Sequence, residues 1–351
     1  MVRSHLVLIV ACFLLFGPGI SMAASTAGDV ALSGTAFIYY EDNQMPGNTT
    51  AAKFDISRVY LDFKKALEGN AAVRVTTDIE RINPVTKVSP ETTDGRFDLF
   101  LKYAYFELNS LNIPLIGLNT LMLGQSSTHW TGVVENFWKF RYIQKTMMDY
   151  FGIFTTADLG LAAKGQLNAI GPVNYHATLM NGSGFKAAET NPEKNFAVTF
   201  SGDPLTLDKS NKISAALGVY VKDVPVDGKS PNHGETSDLY NSINGLAAWQ
   251  FTNIGNGVLF AEYMLGNNAG SLSDGLSVGG QYEIWPSVNL LARVDDYDPS
   301  ADQSNDHRVL DIFGVEYKWG TDVRMALDWQ CETTGDAPVS KKTSLHTEVK
   351  W

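Results

Sequence analysis

The sequence predicts a transmembrane antiparallel β-barrel of about sixteen strands, and three observations carry that expectation. Apolar and polar side chains alternate at period two through segments of roughly ten residues, the length that crosses a bilayer when tilted. The connections between these segments alternate short and long, the rhythm of barrels with tight turns at one rim and extended loops at the other. After the first 23 residues no apolar run approaches the ~20 residues of a spanning helix, so membrane passage has to be by closed strands.

Residues 1–23 form the first element. A weakly basic start (Arg3, His5), an apolar stretch from Leu6 to Phe16, a Gly17-Pro18-Gly19 break and Ser21-Met22-Ala23 have the organisation of a secretory signal peptide cleaved after Ala23 or Ala24. Ile9-Val10-Ala11-Cys12 resembles a lipoprotein cleavage box, but Cys12 lies within the apolar run and Phe13-Leu14-Leu15-Phe16 follows it. Residues 24–351 then constitute the barrel domain, in which Cys331 is the remaining cysteine and no intramolecular disulfide can form.

Strands are expected near 30–41, 54–65, 71–82, 98–109, 116–124, 157–167, 172–181, 195–203, 212–222, 242–252, 257–266, 275–285, 287–296, 307–319, 321–331 and 342–351. Tight Gly/Asn/Pro-rich turns are expected at 67–70, 168–171, 253–256, 285–286 and 320–321. Long polar loops are expected near 42–53, 83–97, 125–156, 182–194, 223–241, 267–274, 297–306 and 332–341.

Within strands one parity is apolar and the other charged. Val73, Val75 and Ile79 alternate with Arg74, Asp78 and Glu80; Val323, Met325, Leu327 and Trp329 alternate with Arg324, Asp328 and Gln330. Val288, Leu290, Ala292 and Val294 alternate with Arg293 and Asp295, with Leu291 breaking the pattern. An Arg or Lys facing the lipid midplane costs about 2–4 kcal/mol, so the apolar parity should face lipid and the charged parity a polar interior. The competing arrangement is a soluble barrel with the opposite orientation. The last strand, Thr343 to Trp351, favours the membrane: Leu345, Val349 and Trp351 fall on one face, with the aromatic placed for an interfacial girdle, and His346, Glu348 and Lys350 on the other.

Hydrophobic residues make up 44% of the chain but are interleaved rather than blocked, which suits strands. The formal charge of −11 argues against a nucleic-acid partner, which favours a basic stripe, and leaves ion preference open because loop charges dominate the sum. His129, His176, His233, His307 and His346 fall in separate loops and strands without metal-ligand spacing, and no Gly-x-Ser-x-Gly elbow occurs. No catalytic centre, metal or cofactor is expected, although a hydrolytic site assembled in three dimensions stays open as an alternative.

Phe54-Asp55-Ile56-Ser57-Arg58-Val59-Tyr60-Leu61-Asp62-Phe63, Met180-Asn181-Gly182-Ser183-Gly184 and Leu290-Leu291-Ala292-Arg293-Val294-Asp295-Asp296-Tyr297-Asp298-Pro299 carry a family resemblance. The chain resembles a Gram-negative outer-membrane porin, and most of all the phosphate-selective-porin-like group. The resemblance implies a sixteen-stranded barrel in the outer membrane, a homotrimer, a third long loop folded inward, contact with lipid and lipopolysaccharide, and a final strand read by the barrel assembly machinery through Leu345, Val349 and Trp351. It does not extend to phosphate specificity, because no dense arginine and lysine ladder is present.

The third long connection, 125–156, is rich in aromatics, and a loop of that length without structure of its own is uncommon unless it is functional or disordered. Aromatics would anchor it on the barrel wall, leaving Glu135, Lys139, Arg141, Lys145 and Asp149 as candidate constriction charges. Arg58, Asp62, Arg74, Asp78, Glu80, Lys102, Arg293, Asp295, Arg324 and Asp328 are the candidate wall charges opposite, where opposed arrays would set up a transverse field. The competing readings are a surface lid for the loop and ordinary neighbour pairing for each wall charge. The function expected is passive diffusion of ions and small hydrophilic solutes through a water-filled channel. A substrate-specific anion porin and a closed adhesin or anchor barrel are the alternatives.

Overall fold

The computed structural model describes residues 26–27, 30–44, 52–81, 96–111, 113, 116–167, 172–189, 191–208, 210–224, 240–268 and 270–351. A two-residue strand β1 (Thr26–Ala27) pairs with β2 (Val30–Asn43). There follow β3 (Ala52–Leu67), β4 (Ala71–Arg81), β5 (Phe97–Leu108), β6 (Leu118–Ser127), β7 (Ala157–Leu167), β8 (Val173–Met180), β9 (Lys194–Asp208) and β10 (Asn211–Val224). The second half comprises β11 (Tyr240–Phe251), β12 (Gly257–Asn268), β13 (Ser271–Trp285), β14 (Val288–Asp298), β15 (Arg308–Trp319), β16 (Val323–Thr334) and β17 (Ser340–Lys350). Every neighbour from β2 to β17 pairs antiparallel, and β17 pairs with β2 from Lys342↔Asn43 to Lys350↔Thr35. The sheet therefore closes as a sixteen-strand barrel and leaves no open edge among these strands.

Alternation decides which side of the wall each residue takes. On β6 and β7, Leu121, Leu123, Leu159 and Leu161 are exposed on the outer face while Met122, Ser126 and Asp158 are buried inside. The same parity puts Val73, Val75 and Ile79 outside with Arg74, Asp78 and Glu80 inside, as the sequence predicts. Two shifts in register adjust it. Between Thr76↔Tyr103 and Thr77↔Leu101 the extra residue is Lys102, so a bulge turns this lysine inward, where it is 4% exposed. A second bulge, at Ser57 opposite Phe37 and Ile38, lets Arg58 face inward with Phe37 and Ile56 outward with Ile38.

At the seam, the Gly34 N–H donates to the Trp351 carbonyl (2.9 Å) and the Trp351 N–H to the Gly34 carbonyl (3.1 Å), extending the β2–β17 ladder. The indole lies across Gly34 so closely that a Cβ there would come within 2.2 Å of Trp351 Cζ2. Glycine is required at this position for close approach. Leu345 and Val349 share the outer parity with Trp351, and His346 and Glu348 are buried inside.

All sixteen barrel strands overlap the predicted ones, and two predictions are corrected. The strand expected to end at 203 runs on to Asp208: Pro204, which cannot donate to a ladder, sits at the register shift opposite Ser214. The long loop expected at 267–274 is instead mostly strand, because β12 continues to Asn268, β13 begins at Ser271, and Gly270 at φ +95° makes a tight reversal. The proposed signal at 1–23, the turn at 168–171 and most of the loops at 42–53, 83–97 and 223–241 lie outside the described residues.

Candidate channel constriction

The hydrophobic core lies between the barrel wall and the connection that follows β6. This connection contains two short helices, α1 (Thr131–Glu135) and α2 (Met147–Tyr150), and its side chains Trp130, Trp138, Phe140, Tyr142, Met147 and Met148 are each at most 2% exposed. They pack on lumen-facing Leu246, Phe260, Met264, Leu291, Leu310 and Ile312 of β11, β12, β14 and β15. The segment thus leaves the wall between β6 and β7 and crosses to the opposite side of the barrel.

Polar groups fix it there. Trp130 Nε1 donates to Glu262 (2.6 Å), Tyr142 Oη to Glu316 (3.1 Å), Tyr150 Oη to Glu332 (2.6 Å) and Gln144 Nε2 to Gln330 (3.2 Å). Arg293 donates to the Lys145 carbonyl (2.7 Å) and Arg324 to the Lys139 carbonyl (2.9 Å). Irregular backbone has few partners of its own, and the two guanidinium groups supply donors to these carbonyls. Arg293 also stacks 4.3 Å from the Trp138 ring and Arg324 4.8 Å from Tyr142.

The side of the loop turned away from this wall carries charge. Arg141 Nη1 donates to Glu135 (2.5 Å) and Asp149 (2.8 Å), and Lys145 lies 3.6 Å from Asp149. Burial alone raises the Asp149 carboxyl, but Arg141 and Lys145 outweigh it and hold the group below the usual carboxylate range. Burial pushes the Lys145 ammonium below its ordinary value; Asp149 opposes the shift while Arg58 and Arg141 add to it. Arg141 Nη2 is buried and makes no hydrogen bond among the described residues.

Across from this edge, Arg58 bonds Asp78 and Glu80, the latter at 3.0 Å, and Arg74 bonds Asp62 at 2.7 Å. Lys186, from the β8–β9 connection, reaches Glu80 as well. Lys102 Nζ is 3.3 Å from Tyr60 Oη and 4.6 Å from the same ring. Tyr60, Asp62, Arg74, Lys102, Glu135 and Arg141 border one cavity of about 250 Å³.

The structure thus brings together Glu135, Arg141, Lys145 and Asp149 from the loop with Arg58, Asp62, Arg74, Asp78, Glu80 and Lys102 from the wall. Lys139 lies on the same loop with its side chain exposed, and its carbonyl accepts from Arg324. Three wall charges lie beneath the loop rather than opposite it. Arg293 (1% exposed) and Asp295 (0%) form a 2.8 Å pair there, and Asp328 is enclosed with Gln330 and His346. These three are covered because the loop crosses to their wall. Arg324, held by Glu348 (2.6 Å) and stacked on Tyr142, keeps 18% of its side chain exposed.

Tyr60, Tyr103, Lys186, Glu262, Glu316 and Glu332 were not singled out from sequence. Tyr60 lies between Arg58 and Asp62 at the same parity, and that spacing is the signal that locates it. Glu262, Glu316 and Glu332 likewise share the inner parity of their strands, whereas Lys186 has no strand pattern to place it.

No protein-family model matches the chain, and no curated protein sequence matches it. Solved structures do. OmpT of Vibrio cholerae, expressed in the outer membrane, is similar with a TM-score of 0.60 and 10% identity over 94% of this chain and 100% of that one. The outer-membrane channel DcaP of Acinetobacter baumannii gives 0.58 and 13% over 94% and 100%. An anion-selective porin from Comamonas acidovorans gives 0.59 and 9% over 92% and 99%. Identities this low carry the fold alone, and that fold is the closed sixteen-strand barrel of outer-membrane porins.

Proposed function

We propose that the protein is an outer-membrane porin, a water-filled channel for passive diffusion of ions and small hydrophilic solutes. The observation that carries this reading is the asymmetric placement of the loop: it packs on β11–β16 and leaves cavities along the inner face of β2–β10, some bordered by paired charges. A closed anchoring barrel has no use for such space, and an adhesin would present this loop outside. Opposed charges on loop and wall would give the passage a transverse field, with Glu135, Arg141, Lys145 and Asp149 on one side and Arg58, Asp62, Arg74, Asp78, Glu80 and Lys102 on the other.

Single-channel conductance of the purified barrel in planar bilayers tests the proposal. A folded protein that carries no current and admits no sugar in liposome swelling would defeat it, and hydrolysis of peptide or lipid would redirect it toward an enzyme. Substrate-specific anion passage is a second reading, favoured by the buried Lys102 and the unpaired Nη2 of Arg141. It would be of the phosphate-selective-porin-like kind only if phosphate blocked chloride current. Export by cleavage after residue 23 or 24, contact with lipopolysaccharide, and recognition of Leu345, Val349 and Trp351 by the assembly machinery belong to the same proposal. So does a homotrimer, the form in which one in-vitro folded V. cholerae OmpT is described. Removal of Val349 to Trp351 is expected to abolish assembly, read as loss of folded barrel in outer-membrane fractions.

A further inference from the structure

We propose that the inner face of β6–β11 is a passage for neutral polyhydroxylated solutes, set apart by α1 from the charged tract along β3–β5. The inference rests on the channel reading above. Two cavities of about 510 and 390 Å³ adjoin on this face and share Asn136, Asn174 and Ser201 as lining. The charged cavity beside Arg141 measures about 250 Å³ and has no lining residue in common with either. Cavities that hold small organic molecules span roughly 300–1,000 Å³, which admits the first two and not the third.

α1 borders both tracts. Gly132, Val133 and Asn136 fall within about 100° of the helical circumference and face the larger cavities, while Glu135 lies outside that arc and faces the charged one. The helix therefore presents small or amide side chains to one tract and a carboxylate to the other.

The linings differ in kind as well as size. Asn119, Thr120, Asn174, Thr199, Ser201 and Gln250 offer amides and hydroxyls, groups that both donate and accept. Among the described residues lining the larger cavity, Lys164 is the one lysine, arginine or carboxylate, beside His129 and His176; in its neighbour Asp203 and Lys212 neutralise one another at 3.1 Å. His129 adds no charge near neutral pH, because burial pushes its imidazole down to about 3. Thr199 is 1% exposed and its hydroxyl is enclosed, so the groups a solute meets are those of Asn119, Thr120, Asn174, Ser201 and Gln250. A polyol entering here exchanges hydrogen bonds with water for hydrogen bonds with the wall and desolvates little charge. In the other tract it would have to displace water around the charges that line it, Asp62, Arg74, Glu135 and Arg141.

Ser201→Trp in the full-length barrel tests this, since Ser201 borders both large cavities. The swelling rate of liposomes in sucrose is expected to fall about fivefold, with the reversal potential in a KCl gradient unchanged and the KCl conductance reduced by less than about twofold. Should that variant not assemble, Ser201→Cys alkylated after folding with a neutral maleimide, in a Cys331→Ser background, carries the same expectation. Sucrose flux and KCl conductance falling by one common factor would overturn the separation, as would sucrose flux that does not change. A wild-type barrel that passes KCl but excludes sucrose would overturn it while leaving the channel reading intact; one that passes neither would sink both.

Discussion

Two stretches of inner wall carry the same sequence pattern and meet different fates. On β3–β5, Asp62, Arg74 and Lys102 alternate with outward apolar residues and border an open cavity. On β14–β16, Arg293, Asp295 and Asp328 alternate in the same way and are sealed beneath Trp138, Tyr142 and their neighbours. Alternation tells inside from outside, but a loop arriving from across the barrel decides whether an inside position is wet. Charge on the open wall can act on solutes; charge on the covered wall acts on the loop.

The largest test removes the cover. Deleting 130–145 is expected to raise single-channel conductance several-fold, because the segment fills space in front of β11–β16 and removing it exposes Glu262, Arg293 and Glu316 to the lumen. Conductance that stayed at the wild-type level would mean the segment does not restrict the passage. Next comes the contrast between two arginines. Arg293→Met leaves Asp295, 0% exposed, without its cation and should cost about 3–5 kcal/mol in urea unfolding from detergent, with little change in selectivity. Arg74→Met, with its side chain 30% exposed and Asp62 keeping Thr76 and Lys64, should cost under about 1 kcal/mol and shift the reversal potential instead. Equal destabilisation by both would erase the distinction between the walls.

Why the fold was legible and half of the site was not follows from the range of the interactions. Strand identity is local: Val73-Arg74-Val75 declares its two faces within three residues, and the same rule placed all sixteen strands to within a few residues. Pro204 and the Asn/Gly stretch around 267–271 misled because a bulge and one glycine reversal absorb them without breaking the ladder. The covered wall is set by contacts between residues more than a hundred positions apart, such as Trp130 with Glu262. One sign of it was present. Leu291 interrupts the apolar-out alternation, and Leu246, Phe260, Leu310 and Ile312 are other apolar residues at inner parity; together they mark the strip on which the loop sits. Lys102 reaches the inner face of β5 only through a bulge whose register depends on its partner strand.

A smaller effect should separate the walls through charge alone. Arg141→Gln takes a fixed cation from the edge of the loop that faces the open cavity and should move the KCl permeability ratio toward potassium by about two- to fivefold. Arg293→Gln removes the same charge from a group 1% exposed beneath the loop, between Asp295 and Trp138, and should move it less. If the two variants shift the ratio equally, the covering loop does not screen its wall from the passage.

The smallest effect is a pH response, and its sign is fixed by Asp149. Arg141 and Lys145 more than offset the burial that raises this carboxyl, so it sits below its ordinary value of 3.8. A carboxyl depressed on folding contributes stability that is fully present above the unfolded value and is lost as pH falls through the lower folded one. Between pH 7 and 5 the Arg141–Asp149 contact should therefore hold, and neither conductance nor current noise should change on its account. As the pH falls through that lowered value, below 3.8, protonation releases Asp149 from Arg141 and the loop edge should loosen, seen as increased current noise. Asp149→Asn should show that loosening already at pH 7 and lose the acid step. An acid transition unchanged in this variant would assign the response to carboxyl groups beneath the loop, and so to the covered wall rather than the open one.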